Sequence, residues 1–295
     1  MNDSLSHWLR LREPADVVAR SDALTRAVAS AMPSGRPLRL LDLGTGTGSN
    51  IRYLSERLTG HQRWLAVDRN AALLAELPGR ISSWGATRGY RTWIEAGRCI
   101  VRDAHVECDV ETRETDLGTL DDREIFEGRH LVTASALLDL VSEPWLRALA
   151  ARCRAEGATA LFAITYNGRF ACTPLEPEDE TVRDLMNRHQ KRDKGLGGGA
   201  AGPDAGTCAE RCFVEAGYRV QREPSDWMLG PADGDVMRLV IEGWAEAATE
   251  MAPDLVTTIA RWRTRRLAHV AAGRSHIVVG HDDLAAWPPG EQGLR

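Results

Sequence analysis

The chain has 295 residues, 43% of them hydrophobic and 27% charged, with a formal net charge of −5. This is the composition of a folded protein able to bury a sizeable core, and it excludes a disordered or fibrous chain. The acidic balance also argues against nucleic acid or an anionic membrane as the main partner, because both select a basic face.

The N-terminal stretch MNDSLSHWLRLREP lacks the apolar core of a signal peptide, and no window of about 18 apolar residues follows, so the expected location is the cytoplasm, away from membranes. Helical spacing of Val17, Leu24, Ala27, Val28 and Ala31 predicts one or two helices over residues 5–32, stopped by Pro33, Ser34 and Gly35. We read residues 1–35 as an N-terminal helical cap and 36–295 as the main domain. Leu38–Leu43 is a short β run that empties into Gly44-Thr45-Gly46-Thr47-Gly48, and Ser49 and Asn50 then offer a start for a helix over 51–58. Trp64–Asp68 is a second strand. Ala71–Leu77 is its helix, expected to end at Pro78 and Gly79.

Residues 81–106 carry no clear period. Beyond them Val110–Thr115 reads as a third strand leading to Asp116, His130–Ser135 as a fourth, and Ala158–Thr165 as a fifth, with a helix bearing Trp145, Leu146 and Leu149 between the last two. A helix over about 204–216 precedes a sixth strand, Tyr218–Arg222, and Ser275–Gly280 supplies a seventh. Strands alternating with helices imply an α/β fold with a parallel, doubly wound sheet of about seven strands. Two stretches break the rhythm and read as helical insertions: 170–204 after strand five, and 230–273 after strand six, the latter with helices over 236–248 and 255–272. The six cysteines form no CxxC pair and read as reduced thiols; Cys208 and Cys212 lie four apart on a predicted helix but lack histidine partners, so no metal is expected.

The glycine-rich turn between the first strand and first helix lets backbone approach a ligand closely and aims free amides at it. Its spacing is GxGxG, not the GxGxxG of dinucleotide sites. Asp42 lies two places before Gly44, and Asp68 closes the second strand 20 residues after Gly48, where a ribose diol is held in such folds.

LLDLGTGTGSN resembles motif I of the class I S-adenosylmethionine (SAM)-dependent methyltransferases, and WLAVD resembles their motif II. The resemblance covers residues 38–168 well and 204–282 loosely, and it implies a Rossmann-like methyltransferase fold. It further implies SAM as cofactor, with Gly44, Gly46 and Gly48 under its methionine part, Asp42 ordering water or the ammonium group, Asp68 on the ribose and Asp116 on the adenine. Thr133–Val141 is similar to the fourth-strand motif beside the transferred methyl group, which brings Ser135 to the cofactor. The connection between Asp68 and Asp116 is longer than is usual in the family. An NAD(P)-dependent oxidoreductase shares the first β-α-β unit but is disfavoured by GxGxG and by the lack of a Tyr-x-x-x-Lys pair; a SAM-binding regulatory protein without catalysis stays open.

Methyl transfer from a sulfonium is an in-line displacement, so the protein's task is alignment of a nucleophile and exclusion of water. Candidates lie at the C-terminal ends of strands four and five: Ser135, Asp139, Tyr166 and Asn167. Asp139 suits a proton acceptor or amine ligand as well as a helix cap. Val182, Leu185, Met186 and His189 fall on one face of a helix, so His189 reads either as a packed residue or as a pocket base, with Gly195–Gly199 as a hinge for a lid. His281 is a lesser version of the same idea, and Asp226-Trp227 offers an anion and a wall. The run Arg261-Trp262-Arg263-Thr264-Arg265-Arg266 reads as a solvated helix face. The expected partner is a small-molecule acceptor methylated on O or N.

Overall fold

In the computed structural model, which describes residues 2–95, 97–103 and 106–289, the N-terminal segment forms α1 (Asn2–Ala19) and α2 (Asp22–Ala31). Ser21 caps α2, its hydroxyl accepting from the Leu24 amide at 3.1 Å. β1 (Leu38–Leu43) is apolar on both faces apart from Arg39 and Asp42, which is how a strand covered on both sides reads. It leads through the glycine turn to α3 (Ser49–Ser55), then to β2 (His61–Asp68) and α4 (Ala71–Thr87).

Here the expected helix end at Pro78 fails, and α4 runs to Thr87 with Pro78 inside it. The lost hydrogen bond and ring clash cost about 3 kcal/mol. Beyond the proline the continued helix buries Ile81, worth about 1.5–3 kcal/mol, and packs Trp84 edge-on against Tyr90, which offsets that cost. The stretch without a readable period becomes the end of α4 followed by a hairpin, β3 (Arg91–Glu95) and β4 (Arg98–Arg102), which accounts for the long connection to β5 (Glu107–Glu114). β6 (Leu131–Ser135), α5 (Glu143–Glu156), β7 (Thr159–Thr173), α6 (Asp179–Gln190), α7 (Ala205–Glu215), β8 (Arg219–Pro224) and β9 (Trp227–Leu229) follow. The chain closes with α8 (Gly234–Met251), α9 (Val256–Ala271) and β10 (His276–Trp287).

The strands lie in one sheet in the order β3-β4-β5-β2-β1-β6-β7-β10-β8, with β9 added beside β10. The five central strands, β5 to β7, are parallel. The sheet as a whole is mixed, not parallel: the β3–β4 hairpin runs antiparallel on one side, and β10 is antiparallel to both β7 and β8 on the other. Ten strands stand where about seven were expected among the described residues. β10 is twice the length read from Ser275–Gly280 because His281-Asp282-Asp283 looks like a loop yet continues the strand. Asp283 is buried and accepts from the Ile164 amide at 2.8 Å and the Ser21 amide at 2.9 Å.

α2, α3 and α4 cover one face of the sheet and α5 and α7 the other, each over its own apolar cluster. A third cluster joins α6, α8 and α9 to the far ends of β7 and β10 through Val182, Leu185, Trp244, Ile259, Trp262 and Ile277. The arginine run on α9 is not a uniformly solvated face. Arg266 is fully buried and pairs with Asp179, which also accepts from Trp262 Nε1 at 2.8 Å, pinning α9 to the start of α6. A guanidinium enclosed this way needs its carboxylate, and removing one partner costs about 3–5 kcal/mol. No helix among the described residues is long and apolar enough to cross a membrane.

Candidate active site

β1 passes to β2 and β5 on one side, whereas β6 and β7 lie on the other, so the strand order reverses between β1 and β6. Ligands of open α/β sheets bind outside the carboxyl ends of the strands at that reversal. Two cavities open there, of about 360 and 660 Å³. A further cleft of about 700 Å³ lies at the opposite edge among Arg36, Arg39, Arg63 and Arg129, remote from the glycine turn.

The smaller cavity is floored by the glycine turn. Gly44, Gly46 and Gly48 have φ of 62°, 54° and 81°, the left-handed region that side chains rarely adopt. Gly44 and Gly46 line the cavity; Gly48 faces away, toward Leu77 of α4, which a Cβ there would approach to 3.1 Å. The Gly46 amide donates to Asp68 Oδ2 (2.8 Å) and the Asn70 amide to Asp68 Oδ1 (2.9 Å). A carboxylate has about four acceptor sites, so Asp68, on the cavity wall, keeps capacity for a diol.

Asp42 sits beneath the turn and does not line the cavity. It is fully buried, accepting from Thr45 Oγ1 and Asn50 Nδ2, both at 2.6 Å, and burial pushes its carboxyl up to about 6. Asn50 in turn donates to Thr133 on β6 and accepts from the buried Arg20 guanidinium at the end of α1. Asp42 thus holds the turn from below through Thr45 and Asn50. Asp116 follows the end of β5 but is not among the residues on the cavity wall. β5 ends at Glu114, and Asp116 is exposed and accepts from the Gly118 amide at 2.8 Å; the neighbouring Leu117 is the residue on the cavity wall. Ser135, at the end of β6, lines the cavity as expected.

The larger cavity is an aromatic chamber walled by Trp8, Tyr166, Trp227 and Trp244, with Asp139, His189 and His281 among its polar residues. Asp139 is 6% exposed in the turn after β6, and burial pushes its carboxyl up to about 6. Its reading as a helix cap falls, because Ser142 caps α5 through the Trp145 amide at 3.2 Å. Tyr166 donates its hydroxyl to Asn187 Oδ1 at 2.8 Å, and burial drives its pKa well above the usual phenol value. Asn167 turns toward Asp282, donating at 3.1 Å, and is not on the chamber wall.

His189 is half-buried on α6, its Nε2 3.4 Å from Glu250 and its buried Nδ1 without a partner. Desolvation, helped by Lys194, lowers its pKa. His281 is 5% exposed, also with an unpartnered Nδ1, and burial lowers its pKa to about 3. The Gly195–Gly199 run is anchored, since the Ser142 amide donates to the Leu196 carbonyl at 3.1 Å and Leu196 forms part of the smaller cavity's wall. Asp226 pairs with Arg169 and does not line the chamber, whereas Trp227 does.

Trp8, Arg12, Ala136 and Leu140 border both cavities. Sequence reasoning missed the contribution of α1, whose Leu5, Trp8, Leu9, Arg12 and Asp16 reach over the glycine turn. A spacing of three to four residues among Leu5, Trp8, Leu9 and Arg12 was the available signal, one face of a helix aimed at a site. Arg12 is held by Asp16, with two hydrogen bonds of 3.0 Å, and lies over the Trp227 ring at 4.9 Å. Ala136 and Ile164, both lining the chamber, have φ of 54°. For a β-branched side chain that backbone is strained, and it is fixed here by the Ile164–Asp283 hydrogen bond.

No protein-family model matches the chain, and no curated protein matches it either. Among solved structures it is similar to the cyclopropane synthase MmaA2 of Mycobacterium tuberculosis, at 11% identity over 95% of this chain and 93% of the other, with a TM-score of 0.47. It is similar also to the YcgJ protein of Bacillus subtilis (12% identity, 92% and 100% covered, TM-score 0.46). A SAM-dependent methyltransferase from Geobacter sulfurreducens, in complex with S-adenosylhomocysteine, stands at 14% identity, 92% coverage of each chain and a TM-score of 0.44. With its strand order reversing between β1 and β6, a GxGxG turn after β1 and a carboxylate closing β2, the chain has a Rossmann-like α/β fold.

Proposed function

We propose that this chain is a SAM-dependent methyltransferase that methylates an O or N atom of a small-molecule acceptor. The observation that carries this reading is the pair of cavities at the strand reversal, one floored by glycine backbone and Asp68, the other aromatic, meeting at Trp8, Arg12, Ala136 and Leu140. The smaller cavity suits SAM: Gly44 and Gly46 leave room for the ligand against backbone, Asp68 has acceptor capacity for the ribose, and Leu73, Leu117 and Leu196 give an apolar slot. When bound, SAM supplies a sulfonium whose methyl carbon is open to in-line attack.

The protein's own work is then placement and the handling of one proton. Trp8 and Leu140, at the junction, exclude water from the acceptor. His189, kept neutral by its lowered pKa, can take a proton at its unpartnered Nδ1, and Asp139 can do so as a carboxylate above pH 6. Tyr166 acts as a neutral hydroxyl, since its raised pKa rules out a phenolate near neutrality.

Calorimetric titration with SAM and with NAD, followed by a search for S-adenosylhomocysteine release over a panel of small acceptors, tests this. SAM binding with NAD excluded, and turnover on at least one acceptor, is the expected outcome. Binding of NAD in place of SAM contradicts the cofactor reading, and SAM binding without turnover on any acceptor points to a regulatory binder.

A further inference from the structure

Asp139 is a buried carboxylate with no direct ion pair among the described residues. Among the described residues no basic side chain lies within 4.0 Å of it, and its one side-chain hydrogen bond is a long one, 3.4 Å from Gln190 Nε2; backbone amides of Asp139 and Tyr166 supply the rest, and the Arg12 and Lys194 charges act on it from farther away. A desolvated anion is expensive unless something cationic joins it. The strong cation on the chamber wall, Arg12, is already committed to Asp16 and to the faces of Trp8 and Trp227. The other charged wall residues are Glu242, which is paired with Arg263 at 3.2 Å, and Glu246. Burial keeps His281 uncharged at neutral pH and lowers His189 in the same direction, so neither histidine adds a positive charge beside Asp139.

Resting on the methyltransferase reading of the adjoining cavity, we propose that the acceptor is an apolar amine, its nitrogen seated on Asp139 and its hydrocarbon body among Trp8, Trp227 and Trp244. An ammonium group is attracted to a desolvated carboxylate, the indoles of Trp8, Trp227 and Trp244 offer apolar surface to its hydrocarbon body, and the chamber's volume of about 660 Å³ suits a body of drug-like size. A carboxylate or phosphate acceptor meets repulsion here, and a neutral alcohol leaves Asp139 uncompensated. In the transfer the ammonium first gives a proton to Asp139 or His189. The freed nitrogen lone pair then forms a bond to the methyl carbon as the carbon–sulfur bond breaks, leaving a neutral thioether and a methylated ammonium.

The test titrates the protein, with S-adenosylhomocysteine present, with 2-phenylethylamine, tryptamine and octylamine, each beside the alcohol and the carboxylate carrying the same hydrocarbon body. Tryptophan fluorescence and calorimetry provide the readout. The amines are expected to bind at least about tenfold more tightly than their alcohols, with the carboxylates weakest. Asp139→Asn, nearly isosteric, should bring amine and alcohol to within about threefold, and Glu127→Gln, at an exposed position away from both cavities, should leave the preference unchanged. Alcohols or carboxylates binding as well as the amines overturn the proposal, as does an Asp139→Asn protein that keeps the preference. If S-adenosylhomocysteine itself fails to bind while the amine preference stands, the methyltransferase reading falls and the amine site survives. Binding of S-adenosylhomocysteine with no amine preference removes the amine assignment alone.

Discussion

The glycine-turn cavity and the aromatic chamber share a wall but are built by different means. The floor of the first is the work of one stretch, Gly44 to Leu73, covered by α1, and that stretch pairs its own polar groups: the Gly46 and Asn70 amides with Asp68, and Asn50 and Thr45 with Asp42. The second collects side chains from α1, the turn after β6, β7, α6, α8 and β10, and leaves His189 Nδ1 and His281 Nδ1 unpartnered. A self-satisfied backbone cradle is rigid before any ligand arrives, whereas a chamber with orphaned buried nitrogens and an unpaired carboxylate is complete only when something fills it. The two should therefore respond separately to mutation.

The largest separation is expected from Gly46→Val. A branched side chain at φ 54°, with Leu9 3.1 Å from its Cβ, fits neither the backbone nor the space, and SAM affinity should fall by about 100-fold or more. Amine probes should still enter the chamber of the folded variant with wild-type affinity. A Gly46→Val protein that binds SAM normally removes the turn from the site, and one that loses both ligands shows the cavities to be a single unit.

His189→Ala approaches the comparison from the other side. Turnover on an identified acceptor should drop by about 100-fold, the lower range for loss of a general base, while the dissociation constant of S-adenosylhomocysteine stays within about twofold. Rates equal to wild type return His189 to packing and leave Asp139 and Tyr166 as the acceptor-side groups.

A smaller effect should appear in stability. The Asp139 carboxyl rises from an ordinary 3.8 to about 6 on folding, so the native state holds a proton that the unfolded chain has released between those values. Stability from this group is full below about pH 4 and is lost as pH rises to 6, by about 3 kcal/mol at most. Asp139→Asn, which does not titrate, should consequently stabilise the protein by about 2 kcal/mol more at pH 8 than at pH 3.5, as read from denaturant midpoints. His281 acts in the opposite sense in both proteins, since its folded pKa of about 3 makes stability rise with pH between 3 and 6.5, and it cancels in the difference between them. A pH-independent effect of the substitution shows Asp139 to be solvated.

The same contrast explains what could be read from the sequence. The glycine turn, Asp68 and the central strands were legible because backbone needs fix residue types at short spacing: left-handed φ demands glycine, and strands covered on both faces demand apolar runs. The place of Asp116 was harder to read because it depends on where β5 ends, and the β3–β4 hairpin that precedes β5 has no apolar period on its exposed positions. β10 was cut short at Gly280 because His281-Asp282-Asp283 reads as a loop, although Asp283 is buried and hydrogen-bonded to backbone from β7 and α2. The chamber's polar candidates were found one by one, but their meeting with Trp8 and Trp244, which lie 236 residues apart, is a product of topology that no local pattern encodes.

The central claim, that the glycine-turn cavity holds SAM, is tested most directly by calorimetric titration of S-adenosylhomocysteine into the wild-type protein and into Asp68→Ala. The account predicts one site per chain in the wild type and an affinity about 10- to 100-fold weaker in the variant, the cost of charge-assisted hydrogen bonds to the ribose, with the fold retained. A wild-type protein that does not bind, or a folded Asp68→Ala protein that binds equally well, contradicts it.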